Sequence, residues 1–233
     1  MDLYYSGGLD TLLIIIGFLI SLIATIRVNL SYSKYKKIKN KRGLTGFDVA
    51  RKILDDNGLK DVLVLETQGS LTDYYDPKRK VVKLSSDVYH NDSIASIAVA
   101  SHECGHAIQD KENYKFLRFR ASIFPLVRIS SNLGYFALMI GLIFGLTDLI
   151  WIGIALELII LLFQLVTLPV EFNASSRALN IISKNGLILN DEYQGAKRML
   201  VSAAMTYVAS VLTSIMEIFR LILIARDNDR WWT

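Results

Sequence analysis

Residues 129–170 of this 233-residue chain read ISSNLGYFALMIGLIFGLTDLIWIGIALELIILLFQLVTLPV. The stretch contains two apolar runs, Ile129–Leu146 and Leu149–Val170, and only Thr147 and Asp148 separate them. Each run is about the length that a helix needs to cross a membrane, which is about 20 residues. The connection between them carries no Lys or Arg, which predicts a tight turn on the outer face of the membrane. A transmembrane hairpin over residues 129–170 returns the chain to the side that it left, so the segments before and after it should share one face.

The composition of the whole chain also indicates a membrane protein. Hydrophobic residues make up 52% of the sequence, the net charge is +4, and the mean hydropathy is +0.35. A first apolar run, Leu12–Ile26, is not preceded by a basic start or followed by a small-residue cleavage site, which predicts an uncleaved anchor over residues 1–30. A cluster of basic residues follows it: Lys34, Lys36, Lys37, Lys39, Lys41 and Arg42. Because short basic flanks stay in the cytoplasm, we expect the N-terminus outside and this cluster inside. Next to a membrane span, the cluster suits a lipid surface better than nucleic acid.

The remaining segments predict a cytoplasmic lobe and a last apolar helix. The lobe covers residues 31–128, and four elements are predicted in it: a helix at Phe47–Asn57, strands at Val62–Leu65 and Lys80–Leu84, and a helix at Ser93–Gln109 with Asp92 as its cap. Residues 171–198 form a second cytoplasmic segment. Residues 199–233 contain the apolar stretch Met199–Ala225, which either spans the membrane or lies in its interface, and Trp231 and Trp232 suit a membrane boundary in both cases. The predicted fold is mainly α and polytopic, with about four transmembrane helices and a small α+β lobe.

The second predicted helix of the lobe carries a motif with specific chemistry. Ser101-His102-Glu103-Cys104-Gly105-His106 fits the pattern H-E-x-x-H of zinc peptidases. Residues four apart share one face of a helix, so His102 and His106 can bind one zinc ion together. Glu103 can act as the general base toward a zinc-bound water without being a ligand itself. The motif uses two of the three histidines in the chain.

A catalytic zinc usually has three protein ligands, so one ligand remains to be identified. His90, the only other histidine, lies in the predicted loop before the motif helix. Glu171 directly follows the membrane hairpin, which returns it to the face of the lobe. Glu171 is therefore the favoured third ligand, and His90 is the alternative.

Other residues have less specific signals. Cys104 points to a different face of the helix from the two histidines, which favours a packing role over a thiolate ligand. Three side chains have the chemistry to stabilise an oxyanion, and their spacing does not choose among them: His90, Arg177 and Tyr207. The predicted strand Lys80–Leu84 is a candidate for holding an extended substrate peptide by backbone pairing.

Several segments together resemble the YugP-type bacterial membrane neutral zinc metallopeptidases, which are distantly similar to the HtpX-type membrane peptidases. The resemblance covers residue 43 to about residue 210 and rests on six segments: Gly43-Leu44-Thr45-Gly46, Leu71–Pro77, Ser101–Gln109, Pro169–Ser175, Gly195-Ala196 and Thr206–Ala209. It implies a gluzincin-like site, in which His102, His106 and Glu171 bind one zinc ion and Glu103 is the base.

The chain departs from the wider gluzincin pattern at one position. In that pattern, an aspartate four residues after the ligand glutamate orients a zinc histidine. This chain has Ser175 there, and a hydroxyl raises the basicity of the histidine less than a carboxylate does. Asn173 is the alternative for the same role.

The expected function is that of an integral-membrane zinc metalloendopeptidase with its active site at the cytoplasmic face of the cell membrane. We expect peptide or protein substrates and no nucleic-acid partner. Glu157, Gln164 and Glu171 are spaced by seven and share a helical stripe, which suits either a polar path for membrane-protein substrates or hydrogen bonds between helices. A membrane metal transporter or sensor has no need for Glu103, and an inactive peptidase-derived scaffold has no need for an intact motif, so both alternatives are less favoured.

Overall fold

The computed structural model describes the backbone of residues 3–229 and the side chains of residues 8–228. Trp231 and Trp232, predicted at a membrane boundary, lie outside the described residues. The elements follow in chain order: α1 (Leu3–Tyr35), α2 (Gly46–Asp56), β1 (Leu63–Thr67), β2 (Tyr74–Asp76), β3 (Val81–Ser85), α3 (Ser86–His90), α4 (Ile94–Lys111), α5 (Lys115–Phe144), α6 (Thr147–Lys184) and α7 (Asn190–Asp229).

The described part of the chain divides into two compact units. The first combines the described residues up to Thr25, Phe119–Leu168 and the described residues from Thr206 onward. The second combines Ile26–Arg118 and Pro169–Met205. The second unit contains the strands, the H-E-x-x-H motif and Glu171.

In the part of the chain that the structure describes, four helices are long and apolar enough to cross a membrane: α1, α5, α6 and α7. Large apolar side chains on them are exposed, as at Phe18 (64%) and Phe144 (70%), which a lipid environment explains. The stretch Met199–Ala225 lies within the single helix α7, which is long and apolar enough to span a membrane, and whether it spans or lies in the interface stays open. The mainly helical fold with four membrane-length helices and a small sheet is confirmed.

The turn between α5 and α6 lies earlier than predicted. Gly145 and Leu146 connect the helices, whereas Thr147 and Asp148 already belong to the first turn of α6. Gly145 has φ +65°, a conformation that glycine adopts freely and that commonly ends a helix. An acidic residue in the first turn stabilises the helix start, so the polar pair begins α6 instead of separating the two helices.

The sheet of the second unit has the strand order β1-β3-β2. β1 is parallel to β3, with Val64 opposite Val82, and β2 is antiparallel to β3. The sequence pattern does not predict β2, because three residues are too few to show alternation. β3 is the central strand and is paired on both sides, so the hypothesis of a peptide-binding edge at Lys80–Leu84 is wrong. Among the described residues, the free edges of this sheet belong to β1 and β2.

The core of this unit lies between the sheet and the helices α2 and α4. Fully buried side chains from three elements meet there: Ile53 and Leu54 of α2, Val82 and Leu84 of β3, and Ile97 of α4. This apolar layer holds the motif helix α4 against the sheet and so supports the face that carries the histidines.

Half of the predicted lipid-facing basic cluster is bound to carboxylates of the same unit. Three lysines have acidic partners on later segments: Lys36 pairs with Asp87, Lys39 with Asp92 and Lys41 with Asp191. These exposed pairs contribute little stability each. They nevertheless show that part of the cluster serves contacts within the protein.

Candidate metal centre

The motif helix α4 begins at a serine cap rather than at the predicted aspartate. Ser93 is the N-cap, and its Oγ accepts a hydrogen bond from the N–H of Ser96 at 3.0 Å. Asp92 lies one residue outside the cap, where its carboxylate pairs with Lys39 at 3.1 Å and its backbone carbonyl accepts from the N–H of Asn40 at 2.7 Å. Asp92 therefore binds the loop at Lys39 and Asn40, and Ser93 satisfies one of the first backbone amides of the helix.

The two motif histidines lie one turn apart on α4, and α6 brings Glu171 to both of them. Oε2 of Glu171 lies 3.2 Å from Nε2 of His102 and 3.5 Å from Nε2 of His106. The ligand atoms of the three residues all lie within 4.8 Å of one another. The side chains are 16%, 11% and 5% exposed for His102, His106 and Glu171, so the cluster is nearly buried but retains some access.

The other ring nitrogen of each imidazole has a partner of its own. Nδ1 of His102 lies 3.1 Å from Oγ of Ser175, and Nδ1 of His106 lies 3.0 Å from Oε1 of Gln109. Such bonds orient an imidazole and leave Nε2 for a metal ion. Ser175 therefore contacts a histidine at the position where the resemblance implies an orienting residue. Gln109 lies outside the H-E-x-x-H motif, and its only signal in the sequence is its position one helical turn after His106, on the same face.

Asn173 and Arg177 continue the hydrogen-bond network from Gln109, on the side away from the histidines. Oδ1 of Asn173 accepts from Nε2 of Gln109 at 2.9 Å and from Nε of Arg177 at 2.7 Å. Arg177 also pairs with Glu112 at 2.7 Å. Two nitrogens of the guanidinium therefore already have partners, which weighs against Arg177 as the oxyanion-stabilising residue. Asn173 contacts Gln109 and not His102. Ser175, rather than Asn173, is the residue that contacts His102.

His90 and Tyr207 are placed differently. His90 is the last residue of α3 rather than part of a loop, its Nε2 lies 3.2 Å from Oε2 of Glu66, and its side chain is 62% exposed. The structure thus brings Glu171, and not His90, to the two motif histidines. Tyr207 lies on α7 in the first compact unit, and its role in catalysis stays a prediction.

Cys104 lies on the opposite side of the motif helix, against α2. Its side chain is fully buried, and Sγ lies 3.6 Å from the carbonyl oxygen of Ala50. Burial raises the pKa of the Cys104 thiol above its ordinary range, which keeps the thiol neutral and unreactive. The predicted packing role fits these contacts.

The surroundings of the cluster shift the pKa values of Glu103 and His106. The residue is 8% exposed, and burial raises the pKa of its carboxyl, although the neighbouring His102 and His106 oppose the shift. A carboxyl with a raised pKa can accept and release a proton closer to neutral pH than an exposed one. Burial lowers the pKa of His106, but the hydrogen bond to Glu171 and the charges of Glu103 and Glu171 outweigh it, so the pKa of His106 is raised.

The donor set fits zinc better than a hard cation. Two imidazole nitrogens and one carboxylate oxygen converge within 4.8 Å, and zinc in catalytic sites is commonly held by two histidines and a glutamate. Magnesium and calcium instead prefer oxygen ligands. Three protein ligands also leave a coordination position for water.

Comparison with known proteins agrees with this donor set. A relative from Bacillus subtilis (strain 168), named "Putative membrane protease YugP", is 46% identical over 209 residues, which cover 88% of this chain and 93% of the relative. No solved structure matches the chain. The model of one protein family, described as "Putative neutral zinc metallopeptidase", matches residues 11–226. The chain therefore belongs to this family of neutral zinc metallopeptidases, the YugP-type family.

Proposed function

We propose that this protein is an integral-membrane zinc metalloendopeptidase that uses one zinc ion. The observation that carries the proposal is the convergence of His102, His106 and Glu171 within 4.8 Å, with the buried carboxyl of Glu103 on the helix of the two histidines, α4. A metal carrier needs the three ligands, whereas a hydrolase also needs the base. The family and the relative named above support the same activity.

The residues of the candidate metal centre have different roles in the proposed hydrolysis. His102, His106 and Glu171 hold the zinc ion, and Ser175 and Gln109 orient the two imidazoles. When bound, zinc polarises the scissile carbonyl and lowers the pKa of a coordinated water. Glu103 takes the proton from the attacking water and later delivers it to the leaving amine.

The free edge of β2 is the candidate place for the substrate backbone. Tyr75 of β2 donates from its hydroxyl to Oδ2 of Asp110 at 3.0 Å, and Asp110 lies one turn after His106 on α4. This contact holds the edge strand beside the metal-binding helix. An extended peptide that pairs with β2 would satisfy the unpaired backbone groups of this edge.

The distribution of basic residues supports an active site at the cytoplasmic face of the cell membrane. The segment that connects α5 and α6 carries no Lys or Arg, whereas Lys34–Arg42 and the segment around Lys197 and Arg198 are basic. Short loops rich in Lys and Arg stay in the cytoplasm. The N-terminus then lies outside, and the unit with the metal centre lies inside.

Polar residues in α6 extend the proposal to membrane-protein substrates. Glu157 and Gln164 lie within this apolar helix, and Oε1 of Gln164 is buried without a hydrogen-bond partner among the described residues. Such groups are costly in a bilayer and commonly face a water-filled path or a partner. A Glu157→Leu variant should cleave an unfolded soluble protein normally and a membrane-protein substrate more slowly. Full activity of the variant on both substrates would contradict the proposal that Glu157 serves membrane-protein substrates.

The central experiment compares the wild-type protein with Glu103→Gln, purified in detergent, for zinc content and for cleavage of unfolded casein. The variant should retain zinc and lose cleavage by a factor of about 10²–10⁴, the usual contribution of a general base. Glu66→Gln is the matched control, because Glu66 is an exposed carboxylate that pairs with His90, and it should retain both properties. Equal cleavage by wild type and Glu103→Gln would falsify the role of the base. A zinc-loaded wild type that cleaves no unfolded protein would favour a metal carrier or an inactive scaffold.

A further inference from the structure

We propose that a directed chain of hydrogen bonds, which begins at Arg177 and at the backbone carbonyl of Val170, keeps a proton on Nδ1 of His106. The chain runs from Arg177 to Asn173, then to Gln109 and then to Nδ1 of His106. It rests on the proposed function, because it assigns positioning residues to the same zinc site. The direction of every hydrogen bond in the chain follows from two groups whose roles are fixed: the guanidinium of Arg177 can only donate, and the backbone carbonyl of Val170 can only accept.

The first fixed end is the guanidinium of Arg177. A guanidinium has only donors and no acceptor. Its Nε lies 2.7 Å from the side-chain oxygen of Asn173, so that atom must be the carbonyl oxygen Oδ1 and not the amide nitrogen. The ion pair with Glu112 at 2.7 Å holds the guanidinium in place.

The second fixed end is the backbone carbonyl of Val170, which can only accept. One side-chain amide atom of Gln109 lies 2.8 Å from this carbonyl and 2.9 Å from Oδ1 of Asn173. Since both partners are acceptors, this atom must be the amide nitrogen Nε2. The opposite atom of Gln109, which faces His106, is therefore the oxygen Oε1.

The tautomer of His106 follows from this orientation. Oε1 of Gln109 can only accept, and it lies 3.0 Å from Nδ1 of His106, so Nδ1 carries the proton. In a neutral imidazole the other nitrogen then has a free lone pair. That nitrogen, Nε2, lies 3.5 Å from Oε2 of Glu171, on the side where a zinc ion would bind.

The partner of Nδ1 in His102 places no such constraint on that nitrogen. Its Nδ1 faces the hydroxyl of Ser175 at 3.1 Å, and a hydroxyl can either donate or accept. Gln109, in contrast, is fully buried, so water cannot replace its partners if the amide reverses. The site therefore combines one imidazole whose Nδ1 must donate with one whose Nδ1 can either donate or accept.

The test measures the zinc dissociation constant by competition with a chelator, and the tautomers by ¹⁵N NMR of histidine-labelled full-length protein in detergent. The chain contains three histidines, so a His90→Gln variant leaves two sets of signals to assign. In wild type, Nδ1 of His106 should carry a proton both with and without zinc, and Nε2 should lose any proton that it shares with Glu171 when zinc binds. Arg177→Gln removes the donor that orients Asn173 and leaves only the Val170 carbonyl to orient Gln109, so it should give a minor population without a proton on Nδ1 and weaker zinc binding than wild type. Gln109→Met removes the acceptor itself and should weaken binding by up to about 100-fold, within the range known for partners of metal ligands.

Three further variants separate this role from general effects. Arg177→Lys keeps a charged donor and should restore most of the zinc affinity. Asn173→Ala breaks the chain but leaves Arg177 paired with Glu112, and should behave like Arg177→Gln. Arg118→Gln removes a nearby arginine that is bound to Asp110 and Asn113 instead of this chain, and should leave both readouts unchanged.

The outcomes distinguish this proposal from the proposed function. Wild-type tautomers and zinc affinity in both Arg177→Gln and Asn173→Ala would overturn the directed chain, as would an equal loss in Arg118→Gln. A wild type that binds zinc with the predicted tautomer but cleaves no peptide bond would refute the peptidase and leave the chain intact. Thermal unfolding of each variant shows whether a loss of zinc affinity follows from a loss of folding.

Discussion

Gly105 of α4 lies directly against the backbone of Ala174 in α6. A β-carbon at residue 105 would lie 2.7 Å from the carbonyl oxygen of Ala174 and 3.3 Å from its Cα and carbonyl carbon. A side chain at residue 105 would meet rigid backbone, which cannot move aside as a flexible side chain does. Because the two motif histidines lie on either side of Gly105 on α4 and Glu171 precedes Ala174 by three residues, this contact sets the distance between the two helices at the candidate metal centre.

Replacing Gly105 with alanine should therefore weaken zinc binding without touching any ligand. The added methyl group forces α4 and α6 apart, and such overpacking typically costs about 1–3 kcal/mol. We expect at least a tenfold loss in zinc affinity, measured by chelator competition. Gly8→Ala is the control, since a β-carbon there has no atom within 4 Å. Wild-type affinity in Gly105→Ala would show that the helix distance does not control the site.

Ser175 offers a test of how strongly its hydroxyl supports His102. Ser175→Ala removes the partner of Nδ1 and should weaken zinc binding about tenfold, the lower end of the range for such partners. Ser175→Asp supplies a charged acceptor and should bind zinc more tightly than wild type. Both affinities come from the same chelator competition. Equal affinities in the three proteins would mean that His102 needs no support from residue 175.

Much of the fold follows from local sequence patterns. Long apolar runs predict the four membrane-length helices, since a run of that length has few other stable environments. The H-E-x-x-H spacing places both histidines on one helix face, and the predicted hairpin accounts for the return of the chain at Glu171. These inferences need only helix geometry and the thickness of a bilayer.

The features that the sequence does not predict depend on contacts between distant segments. Ser93 rather than Asp92 caps α4, because the loop at Lys39 and Asn40 binds Asp92. β2 is too short to show a pattern, and the central place of β3 follows from strand order. Gln109 carries no motif of its own, and only the packing of α4 against α6 brings its amide to Val170 and Asn173.

Removal of zinc should lower the thermal stability of the protein. The predicted ligands come from α4 and α6, so a bound ion links two helices that are far apart in the chain. Zinc at 100 times its dissociation constant contributes about 2.7 kcal/mol, which corresponds to a shift of about 5–10 °C for a chain of this size. Thermal unfolding in detergent, with zinc and with a chelator, measures the shift. Glu171→Gln should lose it and Glu103→Gln should keep it; a chelator-insensitive wild type would contradict the assigned ligands.

The orientation in the membrane can be tested with single cysteines, because Cys104 is the only natural cysteine and is fully buried. In a Cys104→Ala background, Leu146→Cys places a thiol in the turn between α5 and α6, where Leu146 is 47% exposed. If this turn faces outward, a membrane-impermeant maleimide should label it in intact cells. Lys78→Cys, on the exposed turn between β2 and β3, should react only after the cells are permeabilised. The reverse pattern would place the metal centre outside the cell, and labelling of both sites in intact cells would exclude a single orientation.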